Sequence, residues 1–161
     1  MGRSHHKGYT LVELMVVVAA IGMLMLLTVQ SYPVYIKRSE VAEALMMAGT
    51  LREDVTSYYV QRQAFPEDNE MAGIPEFDFS SYYRISALIV ESGAIHVTLG
   101  NSAYESLHGK VLTFRPAVVA GNPASPIAWL CGYDEPVAGM TVFGSNKTDL
   151  DRGFLPAVCR G

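Results

Sequence analysis

A glutamate, Glu13, stands at the start of the most apolar stretch of the chain, which continues without a charge through residues 14–27. Burying a charged side chain near the centre of a bilayer costs about 2.5–3.5 kcal/mol on insertion scales, so Glu13 needs a partner. Just before it, Gly8 ends a short basic leader. If the chain is cut between Gly8 and Tyr9, the new α-amino group of one subunit could neutralise Glu13 of another. This chemistry implies a subunit that is stored in a membrane and then polymerises.

The order of leader and apolar segment differs from that of an ordinary secretory signal, in which the cleavage site follows the apolar region. Here the candidate site precedes it, so the apolar segment stays on the mature protein. About 20 helical residues span a bilayer, and residues 9–29 are therefore predicted to cross the membrane. Arg3 and Lys7 precede the span, which by the positive-inside tendency keeps that end in the cytoplasm. The remainder of the chain is then exported.

The chain has two cysteines, Cys131 and Cys159, both near its end. An even number of cysteines in an exported domain favours one disulfide. The alternative is a pair of unrelated buried thiols. A bond that closes this loop is expected to stabilise the fold by about 3–4 kcal/mol on the chain-entropy estimate. No third and fourth ligand lies at a spacing that would make the cysteines a metal site.

Charge and histidine placement indicate no further chemistry. The net charge is −4 and becomes more negative when the basic leader is lost, so the chain has no global attraction for nucleic acid. His5 and His6 are adjacent but lie in the leader, while His96 and His108 lack a ligand spacing. Nucleophile and phosphate-loop motifs are absent from the sequence. The sequence predicts no enzyme, and no catalytic, cofactor-binding or metal-binding residue.

An apolar repeat with steps of three and four residues continues the N-terminal helix beyond the apolar segment. The repeat consists of Val41, Ala44, Leu45, Ala48, Leu51, Val55 and Tyr58. Charged residues such as Glu40 and Arg52 fall largely on other faces. The pattern predicts one helix over residues 9–60. Gly22 costs about 1 kcal/mol relative to alanine in a helix interior, and Pro33 is expected to kink the helix.

The second half of the chain has the pattern of an antiparallel sheet. Residues 62–81 are acidic and are broken by proline and glycine, which predicts a surface connection. The predicted strands are 84–90 and 94–99, joined as a hairpin by residues 91–93, then 110–115, which stops at Pro116, and 127–131. Trp129 is expected to fill the core between sheet and helix. The residues after Cys131 are turn-rich, and the fold class is α+β.

The residues from Lys7 to Val17 resemble the cleavage and methylation site of the type IV pilin family, with Tyr9 in place of the usual phenylalanine. Three later segments resemble the globular half of a disulfide-bearing pilin: His108 to Phe114, Trp129 to Gly132, and Leu155 to Arg160. The resemblance implies that a prepilin peptidase recognises a type III signal peptide, cuts after Gly8 and methylates the amino group of Tyr9.

The resemblance also implies the type IV pilin fold, a long N-terminal helix packed on a four-stranded antiparallel sheet with a disulfide-bounded C-terminal loop. The expected division is a leader over residues 1–8, the helix over 9–60 and a globular head over 61–161. Residues 9–29 would lie in the membrane before assembly and in the filament core afterwards. In this family the two cysteines bound a surface region exposed on the filament.

The leading functional hypothesis is a structural subunit that forms a helical homo-oligomer, a surface filament for adhesion, twitching motility or DNA uptake. Its expected partners are prepilin peptidase, the bacterial inner membrane, which holds the precursor, and the pilus assembly machinery. One alternative is a minor pilin that acts as a binding or DNA-uptake receptor, but near the C-terminus acidic residues balance Lys147, Arg152 and Arg160, which does not favour direct nucleic-acid binding. Another is a type II secretion pseudopilin, against which the cysteine-bounded region argues.

Overall fold

A computed structural model describes residues 8–29, 32–75, 77–79, 84–122 and 124–161 of the chain. The chain divides into two compact units, residues 1–35 and residues 36–161. The first is called the N-terminal unit below, and the second the globular unit. The helices are α1, Leu11–Val29, and α2, Tyr32–Arg62. Leader residues 1–7 lie outside the described residues, as do residues 30 and 31, on which the prediction of one continuous helix depends.

Gly22 and Pro33, the two positions expected to weaken the N-terminal helix, lie in different parts of the observed helices. Gly22 lies inside α1, which continues through it. Pro33 is the second residue of α2, within the first turn, where a missing backbone donor removes no hydrogen bond of the helix. In α1 side chains are described as far as Leu26, and among the described residues no helix is both long and apolar enough to cross a membrane. The span expected over residues 9–29 stays a prediction.

The sheet of the globular unit is antiparallel throughout. Its strands are β1, Ile85–Glu91; β2, Ala94–Leu99; β3, Val111–Val119; β4, Ala128–Cys131; and β5, Met140–Val142. They lie in the order β1-β2-β3-β4, and β5 pairs with the end of β3 beyond the last residue paired with β2. The α+β class and the antiparallel sheet are confirmed. The fifth strand was not predicted, because three residues give too short a pattern to detect.

The prediction that the third strand stops at Pro116 is wrong, because β3 continues to Val119. The N–H and C=O groups of one strand residue point to the same side of an antiparallel ladder. The carbonyl of Pro116 accepts a hydrogen bond from the amide of Phe143, 2.9 Å away. The missing donor of Pro116 therefore faces Phe143, in the gap between the start of β2 and the end of β5, where no strand residue requires it.

The predicted hairpin between β1 and β2 is confirmed, with a two-residue turn. Ser92 has φ 50° and Gly93 has φ 81°. Positive φ at both central residues is the signature of a type I′ turn, whose twist matches that of the flanking strands.

One face of the sheet packs against α2 to form a single hydrophobic core. The helix contributes Val41, Ala44, Ala48, Leu51 and Val55, and the strands contribute among others Leu88, Val90, Ile95, Val97, Leu99, Leu112 and Phe114. The helical repeat was predicted correctly up to Val55. At its end the prediction of Tyr58 is wrong, since Tyr59 is the buried residue and stacks on Phe65 with ring centroids 4.3 Å apart. Trp129 packs against this core while partly exposed.

A buried carboxylate connects α2 to two residues of the same chain, Arg84 and Tyr104. Glu40, predicted to lie away from the buried face, is only 4% exposed. Its Oε2 accepts a hydrogen bond from the amide of Tyr104 at 2.8 Å, and Oε1 lies 3.5 Å from Nε of Arg84. Burial of a charged group is tolerated when it is paired in this way, and the pairing explains why the apolar pattern missed it.

The outer edge of β1 is covered by a side chain of the acidic connection. The amide nitrogen of Asn69 donates to the carbonyl of Leu88 at 3.0 Å, and its oxygen accepts the N–H of Val90 at 2.5 Å. A single asparagine thus satisfies two backbone groups as a neighbouring strand would. Exposed strand edges invite pairing with other chains, so this contact also protects the edge.

Replacing Asn69 by alanine should lower the free energy of unfolding by about 1–3 kcal/mol, because two edge groups of β1 lose their partners. Chemical unfolding of the purified full chain in detergent measures the change. Asn122→Ala, at an exposed turn position after β3, is the matched control and should change stability little. Equal losses in both variants would contradict a role for Asn69 at the edge.

Candidate functional site

The bond predicted to be cleaved lies at an open position ahead of α1. Tyr9 is 89% exposed, and apart from the glycine itself and its two chain neighbours no atom of the described structure lies within 4 Å of where a β-carbon on Gly8 would stand. A peptidase can therefore approach the Gly8–Tyr9 bond without displacing any described part of the chain.

Glu13 and Thr10 together cap the N-terminus of α1. The Thr10 backbone N–H and hydroxyl both donate to Oε2 of Glu13 at 3.0 Å. In return the backbone N–H of Glu13 donates to the Thr10 hydroxyl oxygen at 3.2 Å. This reciprocal arrangement is a capping box, in which a threonine and a glutamate three residues later satisfy helix-start donors. The structure thus gives Glu13 a role within its own subunit that the sequence analysis missed, although the Thr10-x-x-Glu13 spacing carries the signal.

The capping box uses only one oxygen of the carboxylate. Among the described residues, no hydrogen bond to Oε1 of Glu13 is formed. Glu13 also lines a shallow surface groove with Tyr9 and Val17. The second oxygen is therefore available to a donor from outside the chain.

The surface of α1 around this carboxylate is apolar on every side. All large apolar side chains of residues 11–26 are exposed, with exposed fractions from 47% to 75%. A helix that is apolar all round is normally buried, either in a membrane or in a packed assembly of helices. The exposed apolar surface of the N-terminal unit is therefore of the kind that is normally buried against lipid or protein.

The disulfide predicted at the C-terminus is present. Cys131, the last residue of β4, and Cys159 are bonded, with their Cα atoms 4.7 Å apart. Both cysteines are buried and belong to the core cluster. Next to the bond, the amide of Tyr133 donates to the carbonyl of Cys159 at 3.0 Å. The bond therefore closes residues 131–159 into a loop fixed to the edge strand β4.

Inside this loop, residues 143–149, called the strap, cross the sheet on the face opposite α2. The strap starts beside Pro116 on the β5 side of β3, where the amide of Phe143 is bound. It ends on the β4 side, where the amide of Asp149 donates to the carbonyl of Val111 at 3.2 Å. Asn146 adds a hydrogen bond from its side-chain nitrogen to the carbonyl of Gly132 at 2.8 Å. The strap thus covers the outer face of β2 and β3 by polar contacts.

A buried polar cluster lies under the strap. The buried residues are His96 of β2, 3% exposed, and Thr113 of β3, which is fully buried. Nδ1 of His96 lies 3.0 Å from the hydroxyl of Thr113, and that hydroxyl also accepts the backbone N–H of Lys147 at 3.1 Å. The amide of Thr113 donates to the hydroxyl of Thr148 at 3.0 Å. One buried threonine therefore joins the histidine to the strap.

Two charges stand above this histidine. The ammonium of Lys147 is ion-paired with the carboxylate of Glu91, and Oε2 of Glu91 lies 3.7 Å from Nε2 of His96. Within the described residues, Nε2 of His96 has no hydrogen-bond partner. Burial lowers the pKa of His96, Lys147 lowers that pKa further, and Glu91 partly opposes the shift. The hydrogen bond from Lys147 lowers the pKa of Glu91.

The residues predicted to act in assembly belong to a different unit from the cysteines and His96. Gly8, Tyr9 and Glu13 belong to the N-terminal unit, while Cys131 and Cys159 belong to the globular unit. The described residues contain no group of three or more potential metal ligands. The strap and its histidine were missed, because hydrogen bonds between residues 14 to 38 positions apart leave no local pattern.

Known proteins match almost the whole chain. Residues 37–160 match the pilin family, described as a bacterial filament protein, and residues 3–29 match a prokaryotic N-terminal methylation motif. The type IV major pilin protein PilE1 of Neisseria gonorrhoeae is 32% identical, over 96% of this chain and 87% of that protein. A fimbrial protein of Neisseria meningitidis serogroup A is 30% identical, over 96% and 94%. The type IV major fimbrial protein FimA of Dichelobacter nodosus is 26% identical, over 98% and 99%.

Substitution of two glycines, Gly144 in the strap and Gly121 outside it, tests how closely the strap lies on the sheet. Gly144 of the strap has φ +74°, and a β-carbon there would overlap the Ala94 side chain and lie 3.0 Å from the carbonyl of Glu91. Gly121 has φ +75° with open space around it. Gly121→Ala should cost about 1–2 kcal/mol of unfolding free energy for the left-handed backbone alone. Gly144→Ala should cost about 1–3 kcal/mol more through overlap. Equal losses in chemical unfolding would show that the strap does not contact β2 closely.

Proposed function

The chain belongs to the type IV pilin family and is a structural subunit of a type IV pilus, and we propose that Glu13 of each subunit pairs with the α-amino group of Tyr9 in a neighbouring subunit. The family is identified by the pilin match over residues 37–160 and by relatives named as major pilins. The residue-level contact is the proposal, and the mature filament is extracellular.

The observation that carries the proposal is the free oxygen of a carboxylate on an apolar surface. Oε2 of Glu13 is used by Thr10, while Oε1 accepts no hydrogen bond from the described residues. When helices of neighbouring subunits bury the apolar surface of α1, the charge of Glu13 loses its water. A charge-assisted hydrogen bond to an ammonium contributes about 1.5–3 kcal/mol. It can form only where the two helices have the correct axial offset, so it also sets the register of the filament.

Removal of the leader would supply the cationic partner of Glu13, the new α-amino group of Tyr9. We place the cut between Gly8 and Tyr9, by a prepilin peptidase that also methylates the new amino group of Tyr9. The match of residues 3–29 to an N-terminal methylation motif supports this step, as does the open geometry at Gly8. Before assembly the subunit is held in the bacterial inner membrane by residues 9–29. The pilus assembly machinery then moves it into the filament.

In the assembled filament the globular units form the outer layer and display the disulfide-bounded loop. This arrangement suits adhesion, twitching motility and DNA uptake as functions of the filament. A direct role in capturing nucleic acid has little support, because two basic groups of the loop, and Lys110 beside it, are already engaged. Lys147 is paired with Glu91, Lys110 with Asp149 at 3.0 Å, and the guanidinium of Arg152 lies over the ring of Tyr133 at 4.4 Å.

Three variants separate the capping role of Glu13 from its proposed role between subunits. Glu13→Gln keeps an oxygen for the capping box, which accepts glutamine as well as glutamate, but has no charge. Glu13→Ala loses both roles, and Thr10→Ala loses the capping box alone. We expect filaments to be absent in Glu13→Ala and reduced at least about tenfold in Glu13→Gln, since the loss of 1.4 kcal/mol is a factor of ten. Thr10→Ala should still form filaments.

Counting filaments by electron microscopy, in cells that make no other pilin, gives the result. Glu13→Asp is the conservative control, and it should retain part of the filament number because it keeps the charge with shorter reach. The level of exported protein and the Cys131–Cys159 bond should be unchanged in every variant. Normal filament numbers in Glu13→Gln would show that the charge of Glu13 is not the assembly contact.

Processing is tested at Gly8. Gly8→Val should block cleavage, because a branched side chain replaces the small residue before the scissile bond, and the product should retain the leader. Intact-protein mass spectrometry measures this directly. The wild-type chain should begin with a methylated Tyr9. A mature wild-type protein that still carries His5 and His6 would contradict the proposed site.

A further inference from the structure

We propose that the strap, residues 143–149, is an acid-released latch in which protonation of His96 loosens the disulfide-bounded loop from the outer face of the sheet. The inference concerns the globular unit alone and does not depend on how subunits assemble. It rests on three observations: a buried histidine, a threonine that joins this histidine to the strap, and an exposed ion pair above the histidine.

The Thr113 hydroxyl decides which form of the histidine fits. Its oxygen accepts the Lys147 N–H, so its single proton can be donated to Nδ1 of His96, 3.0 Å away. Nδ1 then acts as an acceptor, and the neutral imidazole carries its proton on Nε2. In this state the hydroxyl of Thr113 has both a donor and an acceptor as partners.

Protonation of Nδ1 breaks this arrangement. Both ring nitrogens of a protonated histidine are donors, so the hydroxyl proton of Thr113 loses its acceptor in a site closed to water. The proton on Nε2 of His96 gains no hydrogen bond, because Oε2 of Glu91 lies 3.7 Å away. A buried polar group without a partner is unfavourable. The protonated state is therefore relieved when the strap moves away and admits water.

The charges around His96 come from three elements. Glu91 of β1 attracts an imidazolium, Lys147 of the strap repels it, and Arg115 lies further along the same face of β3. The carboxylate of Glu91 is about half exposed and already paired with Lys147, so solvent screens its attraction. Burial and Lys147 therefore outweigh Glu91, and the neutral imidazole is favoured while the strap is in place.

The direction of the pH dependence follows from proton linkage. With the strap released, the imidazole is hydrated and its pKa returns to about 6.5; with the strap in place its pKa is lower. The released state therefore binds more protons, and the latch is weakened as the pH falls below about 6.5. It is fully closed above that pH.

Release would leave the rest of the globular unit in place. The hydrophobic core lies on the opposite face of the sheet, and the Cys131–Cys159 bond keeps both ends of the loop attached. Movement of the strap would uncover His96, Thr113 and Ala94, which are now buried, and would free the amide of Asn146. Acid would thus reversibly change the surface that this loop presents to partners.

Hydrogen–deuterium exchange of the full chain in detergent tests the latch, at about pH 7.5 and about pH 5, on either side of the ordinary histidine pKa. Protection factors, corrected for the intrinsic pH dependence of exchange, are compared for the strap and for α2. Strap protection should fall about tenfold for each unit that the pH lies below about 6.5, until the pKa of latched His96 is reached, and so by at most about thirtyfold at pH 5. Protection of α2 should not change. The ion pair persists in this window because the pKa of Glu91 is lowered.

Two histidine variants serve as a matched pair. His96→Asn keeps a polar atom near the position of Nδ1 but does not titrate, so strap protection should be independent of pH. His108→Asn removes an exposed histidine and should behave like the wild type. Constant strap protection in the wild type, or an equal fall in wild type and His96→Asn, would overturn the latch.

The ion pair above His96 provides a second test that holds even if His96→Asn does not fold. Glu91→Gln removes the attraction for an imidazolium in the latched state, so the pKa of His96 is held lower still and acid should reduce strap protection more than in the wild type. Lys147→Gln removes the repulsion, so the acid-induced fall in strap protection should be smaller. Changes in the same direction, or a uniform loss of protection at every pH, would assign the ion pair a purely structural role and refute the latch.

Discussion

The sheet of the globular unit has two faces, and α2 covers one of them. The opposite face is covered by a strap in which Phe143 is the only large apolar residue. Such a segment gains little from the hydrophobic effect, which scales with apolar area removed from water. Its position depends instead on hydrogen bonds to β3, on the contact of the Phe143 ring with that of Phe65, whose centroids are 4.7 Å apart, and on the covalent bond between Cys131 and Cys159. The disulfide limits how far the chain between the cysteines can separate from the sheet.

The N-terminal unit is subject to a different constraint. Its helix has apolar side chains on every side, and its one carboxylate is held at the start of the helix by Thr10. The capping box orients Glu13 and leaves one oxygen for a partner. A single residue thus serves both the folding of its own helix and, in our proposal, the register between subunits. These roles are compatible because a carboxylate has two oxygens that accept hydrogen bonds.

Much of this could be predicted from the sequence, where local patterns carry the information. The apolar repeat from Val41 to Val55, the hairpin at Gly93 and the cysteine pair depend on periodicity, turn chemistry and residue count. The extension of β3 past Pro116 could not be predicted, because it depends on β5, which pairs with β3 beyond the start of β2. Nor could the burial of Glu40 and His96, because each is satisfied by residues distant in the sequence, Tyr104 and Thr113 respectively.

The central claim is that a carboxylate of one subunit meets the amino terminus of another. A helical reconstruction of the filament at side-chain resolution tests it most directly. The account predicts that Oε1 of Glu13 lies about 2.7–2.9 Å from the α-amino nitrogen of Tyr9 in a neighbouring subunit, the usual length of a charge-assisted hydrogen bond, while Oε2 remains bound to Thr10. A filament in which Glu13 contacts only its own Thr10, with the amino group of Tyr9 directed elsewhere, would contradict the account.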